Sequence, residues 1–501
     1  MNRKYILPAA VMQQADNATI EQIGIGQDVL MERAALAVVS RVKSYNPQKV
    51  LCVCGTGNNG GDALAVARIL LMQGVKADVY LCGKPEKYKP AVVKQYNIFQ
   101  KVGGRTITTN DFTEYDIIVD GIFGIGLERK VEGDYADVIT HINQAGEGKT
   151  KIIAVDIPSG IHTDTGAVMG CAVKADETVA FAYYKPGHLV YPGAEYCGKV
   201  GVEEIGISHI FIENDYKADT FTIEKDILPD LPKRPRNGNK GTFGRVLVVA
   251  GSSAMYGACY LTALATLRMG VGLVDVFTHE VNRTAVQTML PEAILHTYED
   301  DNVDLNEFRR LMERADCLVI GPGLSTSDVA LDLVKTVLEH CEKPLVADAD
   351  ALNCIAMHKE LLQVIKDSNK DVIVTPHPAE LSRLTGKSIS ELKADYINSV
   401  KSFAKEYGLT VVGKDAGTVV SNGEYTYINQ TGNSGMATAG SGDVLSGVIG
   451  ALCAQKENAF DSAWKGVCLH GKAGDLAMVQ KNSYSLIARD IANALADIIK
   501  K

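Results

Sequence analysis

Short runs of apolar residues alternate with longer stretches of helical periodicity along most of the chain. In the first half the apolar runs include KVLCVCG, YDIIVDGIFG and KIIAVDIPSG, and helix-like segments such as DALAVARILLMQG separate them. Uninterrupted apolar runs of this length are typical of strands that are buried on both faces of a mostly parallel sheet. The pattern therefore predicts a doubly wound α/β fold, whose ligands bind at the carboxyl ends of the strands.

A polar segment from about Ile210 to Lys240 interrupts this alternation. It gathers prolines, glycines and charges, and the strand pattern GRVLVVAGS follows it. The runs CLVIGPG, KPLVADADAL, DVIVTPHPAEL and LTVVGKDAG then continue the alternation, which indicates a second complete α/β unit. We assign residues 1–215 to a Rossmann-like N-terminal domain, 216–240 to a linker and 225–501 to a C-terminal α/β domain, so that the linker overlaps the start of the second domain.

Composition narrows the classes of function. The 501 residues include 51 basic and 60 acidic side chains, and the net charge of −9 argues against nucleic acid or an anionic membrane as a partner. The eleven cysteines are scattered and odd in number, which is typical of a reducing environment. No segment approaches the roughly 18 apolar residues of a membrane span, and the N-terminus lacks a signal-peptide pattern. We expect a cytoplasmic protein.

The stretch from Thr431 to Gly447, TGNSGMATAGSGDVLSG, places four glycines ahead of one carboxylate, Asp443. Glycines let the backbone approach a phosphate closely, and the N–H groups and dipole of a helix start favour negative charge. A carboxylate beside such a pocket indicates a base or a cation ligand. Asp443 could instead cap the following helix, since aspartate is a preferred N-cap residue. Capping does not explain the glycines on both sides of Ser441, so catalysis is the favoured interpretation.

A second glycine-rich turn, VCGTGNNGGD, runs from Val53 to Asp62 between a predicted strand and a predicted helix. It suits a phosphate, although a glycine loop alone is a weak signal and Asp62 could be only a helix cap. Asp120 and Asp156 end two other apolar strands, and Ser159 follows shortly after. These strand ends share one edge of the predicted sheet with the turn, and their oxygen atoms suit a hard cation.

Further polar groups follow strands in both halves. The loop Gly124–Lys130, GIGLERK, adds glycine N–H groups and two cations suited to phosphate, although Arg129 and Lys130 alone would be ordinary surface charge. In the second half, His377 lies between two prolines in TPHPAE, and Lys414 follows a strand in GKDAGT. A lone histidine is as often structural as functional, and a lone surface lysine carries no signal.

Together these motifs resemble those of the bifunctional NAD(P)H-hydrate repair enzymes. The first half is similar to their epimerase domain through the Val53–Asp62 turn, VDGIFGIGL, VDIPSG and VLMERAALAV. From about Lys225 the chain is similar to their dehydratase domain, a member of the ribokinase-like superfamily, through HPAE and MATAGSGDVLSG. The resemblance implies a Rossmann-like doubly wound domain followed by a ribokinase-like α/β domain.

The resemblance also implies roles for particular residues. In the epimerase domain Asp156 would be the catalytic residue at the ring of the hydrate, and potassium would be held by Asn59, Asp120 and Ser159. The hydrate would be bound there by Asn58, Asn59, Gly60, Gly61, Asp62, Gly124, Ile125, Gly126, Leu127, Glu128, Arg129 and Lys130. In the dehydratase domain Asp443 would be the base. The hydrate would contact Ala258, Gly323 and His377, and the nucleotide would contact Lys414, Asp415, Ala416, Gly417, Thr418 and Gly442.

The implied reaction is the repair of hydrated NADH and NADPH. The first domain would interconvert the R and S hydrates, and the second would dehydrate the S hydrate at the expense of ADP, giving NAD(P)H, AMP and phosphate. Hydroxide is a poor leaving group, and phosphorylation removes that obstacle. The choice of ADP over ATP follows only from the resemblance to the fused prokaryotic enzymes. Potassium would serve the first domain and magnesium the second, and we expect a homo-oligomer.

Three residues stand where the family usually has glycine: Ala63, Ala379 and Asp415. The methyl group of Ala63 narrows its turn slightly without abolishing binding. Asp415 places an acid beside the presumed phosphate site, so the nucleotide contacts are where the chain departs most from the family pattern.

Two alternative functions stay open. The chain could be a small-molecule kinase of the ribokinase type with a regulatory Rossmann-like domain, and a stable phosphorylated product would then mark it. The first domain could instead be a non-catalytic nucleotide-binding scaffold. The set of Asn59, Asp120 and Ser159 argues against a scaffold, which needs no cation site.

Overall fold

A largely parallel sheet organises each of two units, formed by the described parts of residues 4–221 and 222–499. The structure, a computed structural model, describes residues 3–300, 302–368 and 370–499. The predicted α/β class is confirmed for both units, since strands and helices alternate along each. Within the described ranges, every helix is too short or too polar to span a lipid bilayer. All eleven cysteines are free thiols, and ten of them are buried.

Every neighbouring pair of strands in the first unit's central sheet is parallel. Across the sheet the strands follow the order Arg105–Ile107, Lys76–Leu81, Lys49–Cys54, Ile117–Gly121, Lys151–Val155, Glu177–Phe181 and Lys199–Glu203. The order reverses between Lys49–Cys54 and Ile117–Gly121, because the chain first builds one side of the sheet and then returns to build the other. Doubly wound sheets bind ligands at this switch point.

Alternate residues of the central strand enter two different cores. Val50, Cys52 and Cys54 contribute to one core, and Leu51 and Val53 contribute to the other. Because successive side chains of a strand point to opposite faces, an entirely apolar strand requires helices on both faces of its sheet. The helices of this unit are Ala9–Ala18, Gln27–Lys43, Asn58–Met72, Pro90–Lys101, Asp134–Gly146 and Gly193–Tyr196.

The described part of the second unit contains nine neighbouring strands of a mixed sheet. Their order across the sheet is Thr426–Ile428, Val419–Ser421, Thr410–Gly413, Val372–Val374, Leu345–Ala347, Cys317–Ile320, Arg245–Val249, Leu273–His279 and Ile294–Tyr298. The first two pairs are antiparallel and the other six are parallel. The carboxyl ends of the parallel strands therefore lie along one edge, where the predicted second-half motifs follow.

One helix of the second unit is buried on nearly all sides. In Ser441–Ala454 every residue from Val444 onward is buried. A Cβ atom at Gly447 would lie 2.2 Å from the carbonyl oxygen of Thr262, so only glycine permits this close approach. The packing fixes the helix start. The unit's helices are Tyr256–Arg268, Arg283–Met289, Leu305–Arg314, Asp328–His340, Asp350–Met357, Glu360–Asp367, Pro378–Thr385, Ile389–Ala394, Tyr396–Tyr407, Ser441–Ala454, Ala459–Gln480 and Ala488–Ile498.

Candidate active sites

The glycine turn of the first unit leads into the helix Asn58–Met72 at the switch point of the sheet. Two of its glycines are required by close contacts within the turn and with the neighbouring strand end. A Cβ atom at Gly55 would lie 1.9 Å from the carbonyl oxygen of Ile122, and one at Gly60 would lie 2.0 Å from that of Gly55. The turn is therefore held tightly, and the helix start lies at the carboxyl edge of the sheet.

Oxygen atoms from three segments converge beside this turn. The carboxylate of Asp120 is completely buried and accepts hydrogen bonds from the Ser159 N–H at 2.8 Å and the Ser159 hydroxyl at 2.6 Å. The Asn59 amide donates to the carbonyl oxygen of Phe123 at 2.9 Å, and the Phe123 N–H donates to Ser159 Oγ at 2.8 Å. Burial raises the pKa of Asp120 to about 6, although hydrogen bonds from Ser159 lower it. The carboxylate, amide and hydroxyl oxygens suit a hard cation.

Asp156 is held by residues that the sequence analysis missed. Its backbone has a φ of +63°, a strained conformation for any residue other than glycine. Its carboxylate accepts hydrogen bonds from Lys185 Nζ and from the Phe181 N–H, and its carbonyl oxygen lies 2.8 Å from His188 Nε2. Burial lowers the pKa of Lys185, against the opposing effect of Asp156, and lowers that of His188 to about 4. The available signal was YYKPGH shortly after the apolar run ETVAF, which forms the strand Glu177–Phe181.

Two further carboxyl groups face Asp156. Burial raises the pKa of Asp62 well above its ordinary value, and the charges of Asp156 and Asp16 raise it further. The pKa of Asp16, on the helix Ala9–Ala18, is also raised by burial and by Asp156. No side chain caps the helix that contains Asp62, so capping does not account for this residue. Carboxyl groups with perturbed pKa values beside a buried ammonium suit proton transfer.

The loop Gly124–Lys130 divides into an inner and an outer part. Gly124 adjoins the cation cluster, by which we mean Asn59, Asp120 and Ser159, since a Cβ atom there would lie 3.3 Å from the Asn59 side chain. Leu127 is buried. The exposed residues of the loop are Gly126, Glu128, Arg129 and Lys130. Gly124 thus lies beside Asn59, Leu127 packs in a hydrophobic core, and the charged side chains of Arg129 and Lys130 lie at the surface.

The second site lies at the start of the helix Ser441–Ala454. Gly440 precedes the helix with a φ of +86°, and no side chain caps it, so capping does not account for Asp443. Burial and then the charge of Asp348 raise the pKa of Asp443 to about 6, whereas Lys414 lowers it. A general base works best when its pKa lies near the operating pH, so Asp443 suits that role.

Lys414 links a strand end to this helix. Its Nζ donates to Oδ1 of Asp348 at 2.8 Å and lies 4.0 Å from Oε2 of Glu380. The Ser446 hydroxyl donates to Oδ2 of Asp348 at 2.7 Å. A Cβ atom at Gly442 would lie 3.4 Å from Lys414 Nζ, so these two predicted nucleotide-binding residues adjoin. Asp348 was not among the predicted site residues, although KPLVADADAL places this carboxylate directly after a strand.

His377 caps the helix Pro378–Thr385. Its Nδ1 accepts the N–H groups of Ala379 at 3.1 Å and Glu380 at 3.4 Å, and the Glu380 carboxylate accepts the His377 N–H at 2.8 Å. Because Nδ1 accepts these two hydrogen bonds, it is used for capping the helix. Nε2 lies 3.3 Å from Oε1 of Glu380, and the side chain is 47% exposed. Burial raises the pKa of Glu380 to about 7, so this motif also contains a titratable acid.

The other residues predicted to bind ligands in the second unit form two groups, Ala258 with Gly323 and the loop 414–418. Ala258 and Gly323 adjoin, since a Cβ atom at Gly323 would lie 2.7 Å from that of Ala258. The predicted nucleotide loop folds on itself, because the Thr418 hydroxyl donates to the carbonyl oxygen of Asp415 at 3.1 Å. The Asp415 carboxylate forms an ion pair with Lys393 at 2.9 Å. Lys393 therefore offsets part of the negative charge beside the predicted phosphate position.

Known proteins match both units. A sequence profile described as NAD(P)H-hydrate dehydratase matches residues 246–497, and one described as YjeF-related protein N-terminus matches residues 27–187. The chain is 36% identical to the bifunctional NAD(P)H-hydrate repair enzyme Nnr of Moorella thermoacetica, over 99% of this chain and 97% of that protein. It is 32% identical to the enzyme of the same name from Escherichia coli, over 97% of this chain and 92% of that protein. The chain belongs to the family of bifunctional NAD(P)H-hydrate repair enzymes.

As a member of this family, the chain has an N-terminal NAD(P)H-hydrate epimerase domain and a C-terminal NAD(P)H-hydrate dehydratase domain. The family resemblance predicted from the motifs is confirmed. A ribokinase-like superfamily protein from Enterococcus faecalis V583 has a similar solved structure, with a TM-score of 0.50 and 27% identity over 56% of this chain and 96% of that chain. The predicted combination of Rossmann-like and ribokinase-like folds is confirmed as well.

Proposed function

We propose that the chain repairs hydrated NADH and NADPH with ADP as the phosphoryl donor. The epimerase domain interconverts the R and S hydrates, and the dehydratase domain converts the S hydrate and ADP into NAD(P)H, AMP and phosphate. The observation that carries the proposal is Asp443, a partly buried carboxyl group beside Lys414 at the start of a glycine-rich helix. Family membership supports the two activities, whereas the donor and the residue roles belong to the proposal.

In the dehydration step, Asp443 accepts the proton of the ring hydroxyl while the hydroxyl oxygen attacks the terminal phosphoryl group of ADP. The bond from that phosphorus to the bridging oxygen breaks, and AMP departs. Lys414 and the N–H groups of the turn before the helix stabilise charge on the transferring group. The phosphate ester then leaves the ring as inorganic phosphate, the adjacent ring carbon loses a proton, and the double bond of NAD(P)H forms again.

The other predicted contacts would orient the two ligands. Ala258, Gly323 and His377 would bind the hydrate, and Gly442 with the loop 414–418 would bind the nucleotide. Magnesium would enter with the nucleotide, since it usually keeps several waters and binds substrate phosphates. Among the described residues, no group of three or more His, Cys, Asp or Glu side chains is arranged to hold a metal ion, so we assign magnesium no protein ligand.

In the epimerase domain, Asp156 is the proposed catalytic residue at the ring. Lys185 holds its carboxylate in place. The residues 58–62 and 124–130 would bind the rest of the hydrate. Potassium would be held by Asn59, Asp120 and Ser159, where its positive charge would favour an anionic part of the ligand.

Cellular location and assembly are further parts of the proposal. The eleven free thiols support a reducing compartment, and we propose that repair takes place in the cytoplasm. A homo-oligomer stays a prediction, which light scattering during size-exclusion chromatography would test.

The decisive experiment compares Asp443→Asn and Asp156→Asn on the separated R and S hydrates. Asp443→Asn should slow dehydration by about 10²–10⁴-fold, because the base is lost, and should leave epimerisation intact. Asp156→Asn should have the opposite pattern. Absorbance of the restored dihydronicotinamide measures dehydration, and chromatography of the two hydrates measures epimerisation.

Other outcomes of this experiment would contradict the proposal. Loss of both activities in both variants would exclude independent sites. A stable phosphorylated product without free phosphate would favour the small-molecule kinase. Activity with ATP but not with ADP would correct the donor.

A further inference from the structure

Asp348 is a buried carboxylate that joins the two parts of the dehydratase site. It follows the strand Leu345–Ala347 and is only 1% exposed. Each of its oxygens has a separate partner, Lys414 Nζ at 2.8 Å and the Ser446 hydroxyl at 2.7 Å. One partner lies at the end of a neighbouring strand, and the other lies on the helix that carries Asp443. Asp348 therefore connects the lysine proposed to bind nucleotide with the helix proposed to supply the base.

The ion pair lies directly against the glycine turn. A Cβ atom at Gly442 would be 3.4 Å from Lys414 Nζ and 3.7 Å from Oδ2 of Asp348. Asp348 therefore holds the Lys414 ammonium beside the turn where the phosphate is proposed to bind. Ser446 Oγ also lies 3.1 Å from the Gly442 carbonyl oxygen, so the contact with Asp348 is made directly beside the helix start.

The charges of the pair act on Asp443 in opposite directions. Burial disfavours the ionised form of Asp348, but the Lys414 ammonium and hydrogen bonds lower the pKa of Asp348 below its ordinary value. Asp348 is therefore an anion at neutral pH, and it raises the pKa of Asp443, whereas Lys414 lowers it. Other titratable groups also face this pair or Asp443, and they are Asp350, Glu380, Cys259, His377 and His470.

We propose that Asp348 is a positioning residue of the dehydratase: it holds the Lys414 ammonium against the glycine turn, and its negative charge keeps Asp443 a strong enough base. The carboxylate touches neither the hydrate nor the reacting phosphoryl group and acts only through Lys414 and Asp443. This inference rests on the proposed role of Asp443.

The test uses the full chain with Asp348→Asn and a matched control, Ser446→Ala. Asparagine keeps the size of the side chain and a hydrogen-bond partner for Ser446 but removes the charge. We expect KM for ADP to rise about tenfold, because Lys414 loses its anchor. We expect the acid limb of kcat/KM for the S hydrate, at saturating ADP, to move to lower pH by about half a pH unit or more, because a negative charge near the base is gone.

The control distinguishes the effect of the Asp348 charge from the effect of its hydrogen bond to Ser446. Ser446→Ala removes the other hydrogen bond to Asp348 and leaves its charge, so the acid limb should stay where it is in the wild type. A shift of equal size in both variants would overturn the proposal, as would an unmoved acid limb in Asp348→Asn with a wild-type melting temperature.

A second variant keeps the test decisive if Asp348→Asn does not fold. Lys414→Gln removes the opposite charge and leaves a shorter, neutral polar side chain, so the acid limb should move to higher pH. An unmoved limb, or a shift to lower pH, would overturn the inference. Wild-type protein that fails to restore NAD(P)H with ADP, or Asp443→Asn protein that keeps the wild-type rate, would instead refute the proposed function itself.

Discussion

Each domain pairs a buried carboxylate with a lysine at its proposed site, but the two lysines differ in exposure. The side chain of Lys185 is completely buried against Asp156, whereas that of Lys414 is 21% exposed against Asp348. Burial dominates at Lys185 and lowers its pKa. Burial also disfavours the charge on Lys414, but Asp348 and other carboxylates outweigh it and raise its pKa. One lysine is therefore enclosed by protein, and the other remains open to a ligand.

The carboxylate and the lysine also have opposite roles in the two pairs. In the epimerase domain the carboxylate, Asp156, is the proposed catalytic group, and the lysine holds it in a strained backbone conformation. In the dehydratase domain the lysine faces the proposed phosphate position, and the carboxylate Asp348 holds the lysine. In the proposed mechanisms the same type of ion pair would thus serve two chemistries, depending on which partner the fold leaves accessible.

Lys185→Met should produce the largest effect. It leaves Asp156 buried without its counter-ion, which destabilises a protein by about 3–5 kcal/mol. We expect epimerisation to be lost and the N-terminal domain to unfold at lower urea concentration. Circular dichroism during urea titration measures the unfolding, and the assay on separated hydrates measures the activity.

The matched control is Lys151→Met in the same domain. Lys151 forms an exposed ion pair with Asp176 at 2.8 Å, and exposed pairs contribute at most about 1 kcal/mol. The control should therefore retain most of its stability and activity. Wild-type stability in Lys185→Met would mean that the buried pair is not what holds Asp156.

Lys414→Gln should mainly impair nucleotide binding. Glutamine is neutral and one atom shorter than lysine, so the positive charge offered to the phosphate is lost. Since a hydrogen bond to a charged group contributes about 1.5–3 kcal/mol, KM for ADP should rise about 10–100-fold while epimerisation stays unchanged. Initial rates at varied ADP measure this. Lys393→Gln, at an exposed position paired with Asp415, is the control, and an equal rise in KM there would contradict a specific role for Lys414.

Ser159→Ala tests the cation cluster, which belongs to the first domain alone in our proposal. The variant removes one oxygen and one hydrogen bond to Asp120. The apparent affinity for potassium in epimerisation should fall about tenfold or more, while dehydration is unaffected. Rates are measured as KCl replaces choline chloride at constant ionic strength.

Thr163→Val is the control for the cluster, because the Thr163 hydroxyl donates to the Ile125 carbonyl oxygen outside it at 3.1 Å. It should keep the wild-type potassium dependence. Wild-type epimerisation that runs equally fast in choline would remove the cation from the mechanism.

The two lysine pairs also mark what the sequence could and could not predict. Apolar runs and glycine turns are local signals, so the fold class, both glycine turns and Asp443 could be read directly from the chain. The partners of the ion pairs are separated by 29 residues in the first domain and 66 in the second. Whether such residues meet depends on strand order and register, which the alternation of strands and helices does not determine. Lys185 and Asp348 were therefore missed, although each follows a recognisable strand.

Local capping geometry was readable but ambiguous. The motif HPAE allowed both a structural and a functional His377. In the structure its Nδ1 caps the helix, and its Nε2 lies 3.3 Å from Oε1 of Glu380 on a side chain that is about half exposed. The sequence also allowed Asp443 and Asp62 to be helix caps, but in the structure neither of them caps its helix. A capping residue and a catalytic residue can occupy the same position relative to a helix start. Only the backbone conformation of the turn distinguishes the two roles.

The smallest effect is expected at Asp415, the acid beside the proposed phosphate position. Asp415→Gly removes a negative charge beside the proposed phosphate position. Because Lys393 pairs with this half-buried carboxylate at 2.9 Å, the gain should not exceed about 1 kcal/mol, and KM for ADP should fall by at most about fivefold. Initial rates at low ionic strength measure the change, and added salt should diminish it.

Asp415→Asn distinguishes charge from backbone freedom at this position. Asparagine loses the charge but keeps an oxygen that can accept the Ala416 N–H, which donates to the Asp415 carboxylate at 3.0 Å. Equal decreases in KM for the two variants would attribute the effect to charge. This is the expected result if Lys414 attracts the phosphate and Asp415 repels it. A decrease in KM with glycine alone would show that the flexibility of the loop causes the change. The charge of Asp415 would then have no effect on nucleotide binding, and only Lys414 would act there through its charge.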